Sequence, residues 1–351
     1  MKMLDRRLIL CGFGRVGKAF TRLLADRKAH VKQHYGLTLE LTAVVDIGGA
    51  AVAEKGPLPA MELLSHVEKG GTVETFAGYG RPGLSGTEVL MSSEADVLVE
   101  ATPTNLVDGE PGRGHILAAL DKGMDVISAN KGPLVLFYKE IHDLAETKGC
   151  GVHISAATAA ALPTLDVGLL CLAGARVISI EGILNGTTNY ILTRMHTEKC
   201  SFQTALRAAQ EMGIAETDPS LDVEGWDTGN KIVLIANRVF GVGLGQGDVK
   251  VTGITGITME DIEEALKSGR VIKLLGTGSI EDGQVRLKVE PKALSMEHPL
   301  AAINYSEKGI SYLTDTMGRI TVSGGQSSPV GAAAALLKDL IHSSVFVPAP
   351  R

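Results

Sequence analysis

The sequence predicts an α/β protein with a doubly wound, mostly parallel sheet and, after about residue 150, a second domain of α+β type. Three observations carry that reading. Short apolar runs alternate with segments of helical period, the first run ends in glycines, and beyond residue 150 the alternation gives way to several helices and a pair of strands. Strands that alternate with helices imply βαβ crossovers and an open sheet covered on both faces. With 351 residues, 44% of them hydrophobic, the chain can bury two cores.

The elements follow in order. RLILCGFG (7–14) is a buried-strand pattern, and Val16, Ala19, Phe20, Leu23 and Leu24 then recur on one helical face. LELTAVVD (39–46), ADVLVEAT (95–102) and MDVISANK (124–131) are further strands, with helices predicted in HILAALDKG and YKEIHDLAETKG. These elements make up a first domain, residues 1–150. In the second, residues 151–314, ARVISIEGIL reads as a strand and TNYILTRMHTEK, FQTALRAAQEMG, NKIVLIANRVFG and MEDIEEALKSG as helices. VIKLLGTGSI and GQVRLKVEPKAL pair as strands across Glu281-Asp282, and VGAAAALLKDLIHS is a final helix.

Composition excludes several classes. A net charge of −6 without a basic block gives no face for a phosphate backbone, so no nucleic-acid partner is expected. No membrane partner is expected either, because the most apolar stretch, AATAAALPTLDVGLLCLAGA, is broken by Pro163 and Asp166. The four cysteines are scattered, without CxxC or Cys/His ligand spacing, and read as small buried hydrophobes in a reducing compartment. The chain is expected to be cytoplasmic.

Gly12-Phe13-Gly14-Arg15-Val16-Gly17 is GxGxxG between a strand and an amphipathic helix. Glycines there allow a tight turn and close backbone approach, and the helix start offers N–H groups to a pyrophosphate. The first domain is therefore read as a Rossmann-type dinucleotide-binding domain. Asp46 ends the next strand, where an acid can bind ribose hydroxyls and repel a 2′-phosphate. That favours NAD, with NADP left open by Arg15, which pulls the other way. Asp46 stands 29 residues past Gly17 where about 20 is usual, so an insertion is expected within residues 27–41. Asn130-Lys131 also falls at a strand end, where ligands of open sheets sit, and Gly132-Pro133 fixes the chain behind it.

Residues 215–231, AETDPSLDVEGWDTGNK, hold Glu216, Asp218, Asp222, Glu224 and Asp227, closing on Lys231. Pro219 and Gly225 hold these acids at turns. Asp227 and Lys231 share a face if a helix begins near Trp226. Gathered carboxylates can bind the ammonium of an amino acid, and an oriented lysine can pass a proton to or from an oxyanion, as carbonyl reduction by hydride requires. The pattern suits an amino-acid-like small molecule bearing an aldehyde or alcohol.

The segment AAQEMGIAETDPSLDVEGWDTGNK resembles the signature of homoserine dehydrogenase, with Ala209 to Gly213, then Asp218-Pro219 to Asp222, then Gly225, Asp227 and Lys231 matching it. GFGRVG, EATPT, SANKGPL, NGTTNYIL, IKLLG, HPLA and GGQSSPVGAAAALLKDLI stand in that family's order over nearly the whole chain. The resemblance implies reversible reduction of aspartate 4-semialdehyde to homoserine, in threonine and methionine biosynthesis. Lys131 and Lys231 would flank the reacting oxygen and Asp227 would orient Lys231. Glu216 and Asp222 would hold the substrate ammonium with Gly186 and Thr187 nearby. Thr102, Asn130 and Gly325 would line the cofactor site. It further implies that the final strand and helix, about residues 315–345, return to the first domain, and that the chain forms a homodimer through the second.

Two departures from the family are visible. A Glu-Ala-Thr-Val-Gly-like run whose backbone carbonyls hold sodium is replaced here by SAATAAALP (155–163), which leaves the metal open. The chain also stops soon after the last helix, which leaves no room for the threonine-sensing domain of many members. Two other readings fit parts of the pattern. One is a related two-domain reductase acting on another amino-acid intermediate, and the other a non-catalytic dinucleotide sensor, which has no use for Lys131, Asp227 and Lys231.

Overall fold

Leu8, Ile9, Leu10 and Cys11 expose no surface, and that unbroken apolar run lets the first strand lie in the middle of a sheet covered on both faces. This strand, β1 (Leu4–Cys11), pairs parallel with β2 (Leu37–Asp46) on one side. Two short antiparallel strands, β3 (Gly49–Val52) and β4 (Gly80–Pro82), extend that side. On the other side β5 (Val97–Glu100), β6 (Asp125–Ser128) and β7 (Val152–His153) follow in parallel. The order β4-β3-β2-β1-β5-β6-β7 reverses direction at β1, the switch point at whose carboxyl end ligands bind in such sheets.

The computed structural model describes residues 4–325 and 327–346. The chain divides into two units, Met1–Ala160 with Ser328–Arg351, and Ala161–Ser327. Among the described residues, no helix is long and apolar enough to cross a membrane.

In the first unit the glycine-rich turn opens a helix of 21 residues, Arg15–Tyr35, ended by Gly36 in the left-handed region. The extra residues expected before Asp46 lie largely within this helix. The helix buries Phe20 and Leu24 in a cluster that also holds Ala333, Leu336, Leu337 and Leu340 of the last helix, Pro329–Ile341.

In the second unit the strand order is β13-β12-β8-β10-β11-β9. The strands are β8 (Val177–Ile183), β9 (Val249–Val251), β10 (Arg270–Glu281), β11 (Gln284–Ser295), β12 (Lys308–Thr314) and β13 (Arg319–Gly324). Two expectations need correction here. Only the last helix joins the first unit, because β13 runs antiparallel to β12 in register Lys308↔Gly324 and so completes the second sheet. The β10–β11 turn lies at Asp282-Gly283, one residue later than predicted, since both carry positive φ (50° and 76°) and Glu281 pairs with Gln284. The expectation of buried cysteines is also only partly met: Cys11 and Cys150 are buried, whereas Cys171 is exposed.

Lys273 ties β10 to the rest of this unit. It is 1% exposed, and its ammonium donates to Asn189 Oδ1 at 3.1 Å, to Asn304 Oδ1 at 3.0 Å and to the Ile303 carbonyl. Asn189 belongs to the helix Gly186–Glu198, so one cation joins strand, helix and the loop before β12. Beside it His196 Nε2 accepts the Ile272 N–H at 2.8 Å, and burial pushes that imidazole down to about 4, which keeps it neutral.

Burial pushes Lys273 down to about 8 from the ordinary 10.5. Between those two values the unfolded chain binds the extra proton, so this group adds stability as pH rises through the window. Compared with Lys273→Met, the wild-type chain should gain on the order of 3 kcal/mol between about pH 8 and pH 10.5. Urea melts of both proteins across that range check it, and a constant difference would refute it.

Candidate active site

Each unit carries a group of the predicted residues at the start of a helix. In the first, Gly12 has φ +96°, and a Cβ there would stand 2.5 Å from the carbonyl carbon and oxygen of Ala101. A Cβ on Gly17 would stand 2.1 Å from the Gly12 carbonyl oxygen, so neither position accepts a side chain. Gly12 N–H donates to the Val45 carbonyl at 2.9 Å, which ties the turn to the end of β2. Phe13 points into the core at 1% exposure, and its N–H meets Asp46 Oδ1 at 3.4 Å. Gly14 and Arg15 are exposed and Val16 is half-buried. The helix has no side-chain cap and no acid in its first turn, and nothing lies within 4 Å of where a Gly14 Cβ would be. Open space before an uncapped helix start suits a pyrophosphate.

Beside this turn, Asn130 is 1% exposed and caps the helix Lys131–Leu136, accepting the Gly132 N–H at 3.0 Å. Its Nδ2 donates to Thr102 Oγ1 at 3.0 Å. Lys131 is the first residue of that helix and half-buried. Cys11, Glu100 and Ser128 stand level at the carboxyl ends of β1, β5 and β6.

The second unit assembles the acids. The helix Trp226–Phe240 begins at Trp226 as its i,i+4 pattern requires, after Gly225 at φ +89°. Lys231 Nζ lies 2.5 Å from Asp227 Oδ2 and donates to the Leu184 carbonyl at 2.9 Å. Both side chains are largely shielded, at 14% and 11% exposure. Asp222 comes from the short helix Ser220–Val223. Burial raises its carboxyl above the ordinary range, the charge of Asp227 adds to that, and hydrogen bonds from Asn185 and Thr187 oppose it.

Asn185 is the residue that sequence reasoning missed. Its Nδ2 donates to Asp222 Oδ1 at 2.6 Å and to Asp227 Oδ2 at 2.8 Å, while its Oδ1 caps the helix Gly186–Glu198 by accepting the Thr188 N–H at 2.9 Å. Its place before Gly-Thr-Thr marks a helix cap, but no spacing rule points to carboxylates 37 and 42 residues away.

Gly186 and Thr187 open that helix, the Thr187 hydroxyl donating to the Ile214 carbonyl at 3.2 Å. Glu216 is exposed, and its carbonyl accepts Gln210 Nε2 at 3.2 Å. Asp218, also exposed, takes the Ser220 N–H at 3.1 Å and its hydroxyl, which holds the turn and draws its carboxyl below the usual range. Gly325 has φ +74°, and a Cβ there would lie 2.6 Å from the Leu162 backbone nitrogen. Within SAATAAALP, the Ser155 carbonyl accepts the Thr158 hydroxyl at 2.9 Å and the Leu162 carbonyl accepts the Thr164 N–H at 2.8 Å.

The chain is similar to known proteins along nearly its whole length. A model of the family "Homoserine dehydrogenase, NAD binding domain" matches residues 12–155, and one described as "Homoserine dehydrogenase" matches residues 163–341. A homoserine dehydrogenase of Methanocaldococcus jannaschii is 41% identical, the match covering 95% of this chain and 97% of that protein. An NAD(+)-dependent homoserine dehydrogenase of Pseudomonas canavaninivorans is 35% identical over 97% of this chain and 96% of its own length. A crystal structure of a homoserine dehydrogenase from Thermoplasma acidophilum superposes with a TM-score of 0.81 at 25% identity, covering 97% of this chain and 99% of that one.

The glycine turn gives a direct test. Gly12→Ala must move the Ala101 peptide and hold alanine at a φ that costs about 1–2 kcal/mol. NAD affinity, measured by calorimetric titration, should fall at least about tenfold in the folded variant; an unchanged affinity would show that the turn does not meet the dinucleotide.

Proposed function

This chain belongs to the homoserine dehydrogenase family, an NAD(P)-dependent oxidoreductase acting on a CH–OH group, and on that premise we propose which residues carry the reaction. The observation that supports the assignment most is the Lys231–Asp227–Asn185–Asp222 chain of hydrogen bonds in the second unit. The first unit's uncapped helix start and cradled Gly12 fit a dinucleotide, with Thr102, Asn130 and Lys131 as further cofactor residues of that unit; Gly325, in the second unit, is kept as a cofactor residue on the family resemblance alone. A nicotinamide dinucleotide held there would supply the hydride chemistry that interconverts homoserine and aspartate 4-semialdehyde.

Lys231 is the group for the accompanying proton. Two of its three N–H groups are committed to Asp227 and Leu184, which aims the third at a substrate oxygen. In reduction it delivers a proton to the developing alkoxide. In oxidation it takes the hydroxyl proton. Lys131, in the first unit, is proposed as a second catalytic lysine on the family resemblance. Asp222 receives the substrate ammonium, with Glu216, Gly186 and Thr187 completing that end.

Asp46 favours NAD over NADP in this reading, supported by its contact with the Phe13 N–H at the glycine turn. A homodimer is proposed from the family resemblance alone, and light scattering on the purified protein tests it. A cytoplasmic location is supported by the four free cysteines.

The founding experiment is a spectrophotometric assay of homoserine oxidation with NAD and NADP in parallel. In it, Lys231→Ala should lower kcat about a hundredfold or more and leave NAD affinity intact; a folded variant retaining above roughly a third of wild-type kcat would remove Lys231 from proton transfer.

Asp222→Asn should act on binding instead. Losing a charge-assisted hydrogen bond to the ammonium is worth roughly 1.5–3 kcal/mol, so KM for homoserine should rise about ten- to a hundredfold. Because the Asp222 carboxyl is raised, wild-type KM should begin to climb at a pH above the ordinary carboxylate range as the solution is acidified. The Asn variant should lack that limb. An acid limb persisting in Asp222→Asn would assign it to another group.

A further inference from the structure

Glu100 is a charge-bearing side chain with no exposed surface, and the mechanism does not use it. It ends β5 at the switch point, level with Cys11 of β1 and Ser128 of β6. Its Oε1 accepts the Thr102 N–H at 2.8 Å and the Thr102 hydroxyl, and its Oε2 stands 2.9 Å from Nδ1 of His115, which is 5% exposed. An ionised carboxylate only accepts, so His115 Nδ1 carries the hydrogen.

Cys11, Glu100 and His115 bring a thiol, a carboxylate and an imidazole within 4.8 Å of one another, a set of metal-ligand types. The hydrogen bonds argue against a metal. Both Glu100 oxygens are already engaged by protein donors, and burial with the Glu100 charge holds the Cys11 thiol in its protonated form, which is the wrong one for ligation.

What the carboxylate does is fix a peptide. By taking both Thr102 donors it sets the turn Ala101-Thr102, against which Gly12 packs with no room for a Cβ. With its hydrogen directed at Glu100, the Thr102 hydroxyl presents a lone pair to Asn130 Nδ2, so Asn130 is aimed in turn. One buried acid thus governs the ends of β1, β5 and β6 together, and His115 is the donor that holds the acid.

We propose that Glu100 and His115 are a positioning pair that pre-forms the dinucleotide floor of the first unit, and so determine cofactor affinity without touching cofactor or substrate. The inference rests on the reading of the glycine turn, Thr102 and Asn130 as cofactor residues. It predicts a selective effect: the floor moves, while the Asp222–Asp227–Lys231 group, carried by the other unit, keeps its bonds.

The test compares Glu100→Gln, His115→Leu and His115→Asn in the full chain, since asparagine places an N–H where His Nδ1 stands and leucine has the same shape without it. Glu100→Gln and His115→Leu should weaken NAD binding at least about tenfold by calorimetric titration, with homoserine KM at saturating NAD within about twofold of wild type. His115→Asn should restore NAD affinity to within about threefold. A purely structural role would make the leucine and asparagine variants melt alike and leave NAD affinity unchanged, and that result overturns the proposal. If Glu100→Gln does not fold, the His115 pair decides by the same outcomes. Gly12→Ala separates the two levels. Normal NAD affinity there overturns the cofactor site itself, whereas loss there with normal affinity in Glu100→Gln and His115→Leu overturns the positioning pair alone.

Discussion

Two carboxylates can share a shielded corner only if donors come between them, and in the second unit that donor is the Asn185 amide. Asp222 and Asp227 would repel each other, and the raised Asp222 carboxyl registers that repulsion on top of burial. Asn185 gives one N–H to each, and Lys231 neutralises Asp227 from the next helical turn. The consequences spread outward. Because Asn185 is also the cap of the helix Gly186–Glu198, the start of that helix is fixed to the acids, and Lys273 fixes its middle to β10.

The first unit depends on a different constraint, close backbone approach. Gly12 sits against the Ala101 peptide and Gly17 against Gly12, so the turn is determined by contact and has no adjustable side chain of its own apart from buried Phe13. A surface set by backbone contact is only as well placed as the peptide beneath it. That peptide is held by a buried carboxylate, the strongest acceptor available for a Thr102 N–H and hydroxyl at once.

Much of this was legible in the sequence because local rules govern it. The central strands are short apolar runs ending in glycine or a polar turn, and GxGxxG, the Asp227–Lys231 spacing and the helix start at Trp226 are all short-range patterns. What escaped has long-range or marginal causes. β3, β4 and β7 are strands of two to four residues at or next to the sheet edges, with too few side chains to show a period. Asn185 escaped because its carboxylate partners come from a later segment. Glu100 in VLVEAT and Lys273 in VIKLLG escaped because nothing in a short window distinguishes a charge that will be buried and paired from one that will be solvated. The extra residues expected between Gly17 and Asp46 are accommodated by the length of the first helix, Arg15–Tyr35. The return of the chain was placed at the final strand because resemblance gives order along the sequence and not pairing; the register of β13 with β12 decides it.

Both sites use the same physical resource, the positive end of a helix, and differ in where the negative charge comes from. Some helix starts are capped by the side-chain oxygen of the residue just before them, as at Ser85, Asn130, Asn185, Ser201, Thr258 and Ser328. Others, such as those after Pro59 and Pro111, are not, and the starts at Gly14 and Gly225 belong to this second group. The helix after Gly225 instead carries Asp227 in its first turn, so the favourable anion is built in and can hold Lys231 at a fixed angle. The helix after Gly14 has no acid in its first turn. An aspartate there would meet the same N–H groups and repel any phosphate that approached. On the proposed reading, leaving that start bare keeps its donors for the pyrophosphate of a dinucleotide, while the second helix carries its anion, Asp227, within its own first turn.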